Sequence, residues 1–196
     1  MKSKMKWDGK NRVYTEGPLR KAFDEGKGNS AEINLMLIAM LQEAGIDAAP
    51  VLVSTRDHGF VHKSGSPVLT MFNYVVALAT IDGKEFLLDA TDPLLPVGML
   101  SIQCLNGEGR LVKEKTDRWV ALKPNGILNK SVQGEISIDE KGDMLGQIFQ
   151  QYGGYMAVDY RQEYLERGEE KFLEENLRGT GAVSYTHLTL PTICSV

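Results

Sequence analysis

The sequence predicts an α+β fold in which a buried helix packs on an antiparallel sheet, followed by a second, β-rich segment. Three observations carry this expectation. The run GKGNSAEINLMLIAMLQEAG is apolar on every helical face, two strand-like stretches meet at Asp82-Gly83, and beyond residue 133 the text changes to period-2 alternation.

The elements follow in chain order. Residues 7–28 are polar, with a short helical candidate over 18–25 in which Leu19, Ala22 and Phe23 share one face. Asn29 then caps the main helix, and Glu32 stands three residues on, as a capping pair requires. From Ile33 to Leu41 no polar stripe is left, so the helix is expected to be surrounded by protein, and Gly45 ends it. An apolar strand over 48–54 precedes a loop of His, Gly, Ser and Lys over 55–67. Strands over 71–81 and 84–90 flank the Asp82-Gly83 turn, the strongest short-range hairpin signal.

Past Thr91 the pairs Asp92-Pro93 and Leu95-Pro96 break the pattern, and short strands are expected around 101–105, 110–112 and 119–123. Gly126 and the polar stretch 129–133 read as a linker, which gives a first domain over 1–125. Two strands about Lys141-Gly142 and a charged helix over 156–178 make a second segment, 134–182, too short to close a β domain and read as the start of a truncated one. The last residues, 183–196, resemble translated sequencing-adapter sequence and are set apart as a non-native tail.

Composition narrows the function classes. A chain of 196 residues, 42% hydrophobic and 24% charged, is ordinary globular material. Its net charge of −4 gives no footprint for nucleic acid, and Lys2, Lys4, Lys6, Lys10 and Arg12 read as a solvated lead-in. No stretch reaches the ~18 apolar residues of a membrane span, so no direct membrane insertion is expected of this chain. Cys104 and Cys194 suggest neither disulfide framework nor metal cluster, and GKGNS lacks the spacing of a phosphate-binding loop; no cofactor and no metal are expected.

Ser30 falls in the first turn of the main helix, where unpaired N–H groups and the positive end of the peptide dipoles favour a nucleophile or an anion. It reads either as a reacting group or as part of the cap. In LLDATDPLLP, Asp89 can hold the following turn by accepting backbone N–H bonds, together with Thr91 and Asp92. His58 and His62 sit on a Gly/Ser-rich loop and read as solvated, His187 belongs to the tail, and Cys104 reads as a buried inert thiol.

The helix segment GNSAEINLMLIAMLQEAGI, the strand FNYVVALATIDG and the strand EFLLDATDP, in that order, resemble the transglutaminase-like superfamily over about residues 5–125. The likeness is to bacterial members in which such a domain lies between β-rich domains. It implies a papain-like cysteine-protease type of core, with a Cys at the head of the buried helix, a His on a following strand and an Asp on the next. In that chemistry a thiolate attacks an amide, an imidazole carries the proton, and a carboxylate orients the ring. By resemblance the three positions here are Ser30, Tyr74 and Asp89, with Asn73 the alternative to Tyr74 if the match slips by one residue.

Neither Tyr74 nor Asn73 is a base at neutral pH, and an alcohol needs an adjacent base more than a thiol does. The resemblance therefore implies a degenerate triad in a catalytically inactive domain. It would act as a scaffold or binding module for a peptide or glycan lying in the groove past the helix head, in a bacterial cell envelope. The alternative is an active amide hydrolase or acyl transferase with Ser30 as nucleophile.

Overall fold

The computed structural model describes residues 2–62, 68–124, 129–142 and 144–178. Gly126, the tail 183–196 and His187 lie outside them. The chain divides between Met156 and Ala157 into two compact units.

The first unit begins with β1 (Lys6–Trp7), α1 (Leu19–Glu25) and β2 (Lys27–Gly28), where β1 and β2 form a short parallel pair. Helix α2 (Ser30–Glu43) starts as its sequence dictates. The Asn29 side chain accepts from the Glu32 N–H at 3.0 Å, and the Glu32 carboxylate accepts from the Asn29 N–H at 2.9 Å, a complete capping box. The helix is not enclosed along its whole length. Its head, Ser30–Asn34, and Ile38 are buried, whereas Ala39, Met40 and Glu43 are exposed, so the uniformly apolar text overstates the burial of the last turns.

Strands β3 (Asp47–Val53), β4 (Tyr74–Ile81), β5 (Lys84–Leu88), β6 (Glu108–Leu111) and β7 (Trp119–Ala121) form one antiparallel sheet in the order β5-β4-β3-β6-β7. Asp82 and Gly83 both have positive φ, 49° and 74°, the mirror-image turn that matches the twist of the two strands it joins. The stretch expected to begin at residue 71 is a 3-10 turn over Leu69–Met71 before β4 starts, and the strand expected at 101–105 is a 3-10 turn, Ile102–Cys104. Both segments bond within themselves over three residues and find no neighbouring strand.

Strand parity separates two cores. Tyr74, Val76 and Leu78 lie opposite Val53, Val51 and Ala49 and face away from α2; with Leu100, Cys104, Leu111, Val120 and Leu122 they fill one side. Ala77 and Ala79, with Ala48, pack beneath Ile38 of α2 on the other. The sheet curls about the first side. Glu85 on the edge strand β5 forms an ion pair with Arg118, next to the opposite edge strand β7, at 2.6 Å. A third cluster, Met5, Ala22, Ile33 and Ala90, joins the N-terminal residues and α1 to the head of α2.

Beyond the sheet, β8 (Asn129–Ile138) and β9 (Met144–Gly153) pair over ten residues each as an isolated ribbon. Its first residues, read from sequence as linker, are strand; their polar composition reflects exposure rather than irregular backbone. Val132, Ile136, Ile138 and Ile148 share one face of the ribbon and are exposed. At its end the Tyr155 hydroxyl donates to the Leu100 carbonyl at 2.8 Å. The single helix expected over 156–178 is two, α3 (Gly154–Arg167) and α4 (Glu169–Arg178), because Gly168 takes a left-handed φ of 77° between them. In the second unit Phe172 packs edge-on against Tyr160 and Tyr164. Among the described residues no helix is long and apolar enough to cross a membrane.

Gly109 tests the sheet packing. A Cβ there would lie 2.5 Å from Val51 Cγ1 and 2.9 Å from the Leu52 carbonyl oxygen, on rigid neighbours in β3. Gly109→Ala is expected to lower stability by about 1–3 kcal/mol, read as a lower urea midpoint at unchanged m-value; an unchanged midpoint would mean that β6 does not approach β3 so closely.

Candidate functional site

The head of α2 is covered by the chain's own N-terminal residues. The Ser30 N–H donates to the Lys10 carbonyl at 3.1 Å. The Ser30 hydroxyl donates to the Arg12 carbonyl at 3.0 Å and accepts from the Arg12 N–H at 2.9 Å. Asn29 Nδ2 donates to the Tyr14 carbonyl at 3.3 Å, and the Glu16 N–H donates to Glu32 Oε1 at 3.0 Å. Ser30 is thus fully buried, and its hydroxyl is satisfied both as donor and as acceptor. The groove expected past the helix head is filled by residues 10–16.

The second part of the expected constellation lies elsewhere. Tyr74 starts β4 on the face turned away from α2 and is itself fully buried. Its hydroxyl lies 3.0 Å from Asp89 Oδ2 and 2.7 Å from Thr91 Oγ1. Asp89 follows the last residue of β5 and collects donors from three directions: Tyr74, the Thr91 N–H and hydroxyl at 3.1 and 2.8 Å, and Asn34 Nδ2 at 3.0 Å. The structure joins Tyr74 to Asp89 and leaves Ser30 out of the pair. Asn73 is not part of it either. Its side chain holds the Thr55 N–H at 2.9 Å and the Thr55 hydroxyl at 2.7 Å, bracing the loop after β3.

Asn34 is the residue that sequence reasoning missed. Strand β5 stops at Leu88, opposite Ala77, so Val75 has no partner on that edge. The Asn34 amide fills the gap: it donates to the Val75 carbonyl at 2.8 Å and to Asp89, and accepts from the Ala90 N–H at 2.9 Å. One signal was present in the text. A lone amide within INLMLIAML cannot be buried without partners, so it had to meet polar groups of another element.

Burial holds two of the candidate side chains, Tyr74 and Cys104, toward their protonated forms. Burial, reinforced by the neighbouring Asp89 carboxylate, raises the Tyr74 phenol far above its ordinary range. Burial and then Asp89 raise the Cys104 thiol as well, and this thiol, fully buried, accepts a bond from the Ser101 hydroxyl at 3.3 Å. Cys104 is a free, buried core residue. His58 is exposed beside the Thr70 carbonyl at 3.2 Å, and His62 is exposed. Lys2 donates to the Leu95 carbonyl; burial lowers its pKa, partly offset by Asp92 and Asp89. Among the described residues no His, Cys, Asp and Glu side chains gather three together in a way that could hold a metal ion.

Comparison with protein-family models, with curated proteins and with solved structures finds no match to this chain.

The raised phenol has a consequence for pH. Tyr74 keeps its proton in the fold above pH 10.0, where the unfolded chain loses it, so the folded state binds the extra proton and stability falls as pH rises from there. The stabilisation is complete below the ordinary phenol range and is lost above it. Tyr74→Phe, less stable at neutral pH by about 1–3 kcal/mol, is expected to close on the parent by about 1.4 kcal/mol per pH unit in the alkaline range. Parallel stability curves for the two proteins would show that the phenol is not held in this way.

Proposed function

We propose that this chain is a non-catalytic module of the transglutaminase-like type, serving as a scaffold or binding domain, in a bacterial cell-envelope setting suggested by the sequence resemblance. The observation that carries the proposal is the state of Ser30. Its hydroxyl is sealed from solvent, and both of its hydrogen bonds go to the Arg12 main chain rather than to a base. Nucleophilic catalysis by an alcohol requires a group that draws off its proton, and none accompanies this oxygen.

The remaining positions support the same reading. Tyr74 and Asp89 are bonded to one another and to Thr91 within the core, where their polar atoms are used up in holding elements together. A fold that keeps this pattern while its reacting groups are absent is suited to presenting surface rather than turning over substrate. In such a module a peptide or glycan partner would engage surfaces other than the covered helix head.

A fluorophosphonate probe at millimolar concentration is expected to leave Ser30 unlabelled in the folded protein, and amidase and amine-incorporation assays are expected to give the same background for the parent and for Ser30→Ala. Stoichiometric labelling of Ser30, or turnover that disappears in Ser30→Ala, would overturn the proposal in favour of a serine nucleophile.

A further inference from the structure

The cover over the α2 head has the features of a part that opens by itself. Residues 10–16 are bracketed by Gly9 and Gly17, and a Cβ at either glycine would meet nothing within 4 Å. Gly9 also has a φ of 86°, a left-handed turn at the near end. No residue from 6 to 21 is fully buried, although Asn11, Val13 and Thr15 are half-buried, while Met5 before this stretch and Ala22 after it are core residues. The segment is thus anchored at both ends and lies on the surface between them.

What holds it down is main chain at every second residue. Lys10 and Tyr14 give carbonyls, Arg12 gives both its carbonyl and its N–H, and Glu16 gives its N–H, to Ser30, Asn29 and Glu32. These bonds can be exchanged for bonds to water, and no apolar side chain has to leave a core when they break. One further contact is imperfect. Asn11 donates to Gln103 Oε1 at 3.2 Å, but its own Oδ1 is buried without a partner, an unfavourable state that opening relieves.

We propose that residues 10–16 form a hinged strap that swings away from the head of α2 by local unfolding, exposing Ser30 while the sheet and its core stay folded. Access to the helix head is then set by the strap rather than by global stability. This goes beyond the scaffold reading and is measured separately from it, because a fluorophosphonate reports the reactivity of the serine whereas the readouts below report only its exposure.

Ser30→Cys, made in a Cys194→Ser background, puts a thiol beneath the strap, and Cys104 serves as the internal reference for exposure of the core. With a disulfide reagent at urea concentrations below the unfolding midpoint, the new thiol is expected to react at least ~10-fold faster than Cys104, with a urea dependence well under half as steep. Equal rates and equal urea dependence at the two sites would overturn the proposal. The unsubstituted protein gives an independent reading, free of any folding defect in the variant. Amides of Arg12, Glu16 and Ser30 are expected to exchange at least ~10-fold faster than those of Val76 and Leu78, which lie in the β3–β4 ladder, and matching protection would contradict a separately opening strap.

Discussion

The carboxyl group of Asp89 is the point on which this fold turns. It sits where β5 ends and the chain leaves the sheet, almost fully buried, and receives donors from α2, from β4 and from its own turn. Burying a carboxylate costs several kcal/mol unless its lone pairs are satisfied, so each donor is needed. The Tyr74 and Thr91 hydroxyls hold two protons for three short contacts: Tyr74 to Asp89, Tyr74 to Thr91 and Thr91 to Asp89. No arrangement of those protons satisfies more than two contacts, so at least one is left to an unprotonated pair. Asn34 and the Thr91 N–H supply what the hydroxyls cannot.

The same geometry separates the groups that the sequence resemblance would bring together. Helix α2 packs over the parity of Ala77 and Ala79, and Tyr74 carries the opposite parity, so its ring enters the core inside the curl of the sheet. Its hydroxyl reaches back only as far as the end of β5. Ser30, one turn before Asn34 on α2, looks instead toward the N-terminal strap. An alcohol in that position has main-chain partners and no base.

How much of this could be read in the text follows from the range of each interaction. The cap of Asn29 and Glu32 and the Asp82-Gly83 turn rest on local spacing, and both are found. The strap was not legible. Its bonds are made by main-chain atoms of residues 10–16, which leave no mark on side-chain identity, and its partners lie some eighteen residues on. Residues 129–133 misled because a strand exposed on both faces is as polar as a linker. Which of Asn73 and Tyr74 faces α2 depends on where the small alanines of β4 fall against the helix, a matter of packing that neither residue reveals alone. The α+β architecture itself follows from the apolar helix text and the hairpin signal, both of which rest on short-range pattern.

The role of Asp89 in holding the fold together is tested most directly by the stability of Asp89→Asn. A carboxylate kept for catalysis is commonly neutral or even unfavourable for the fold, so its amide replacement leaves stability unchanged or raises it. Here the amide would put an NH2 against the donors that now converge on the carboxylate. Urea unfolding at pH 7 is expected to show a loss of about 2–5 kcal/mol at unchanged m-value. A variant as stable as the parent, or more stable, would contradict this account.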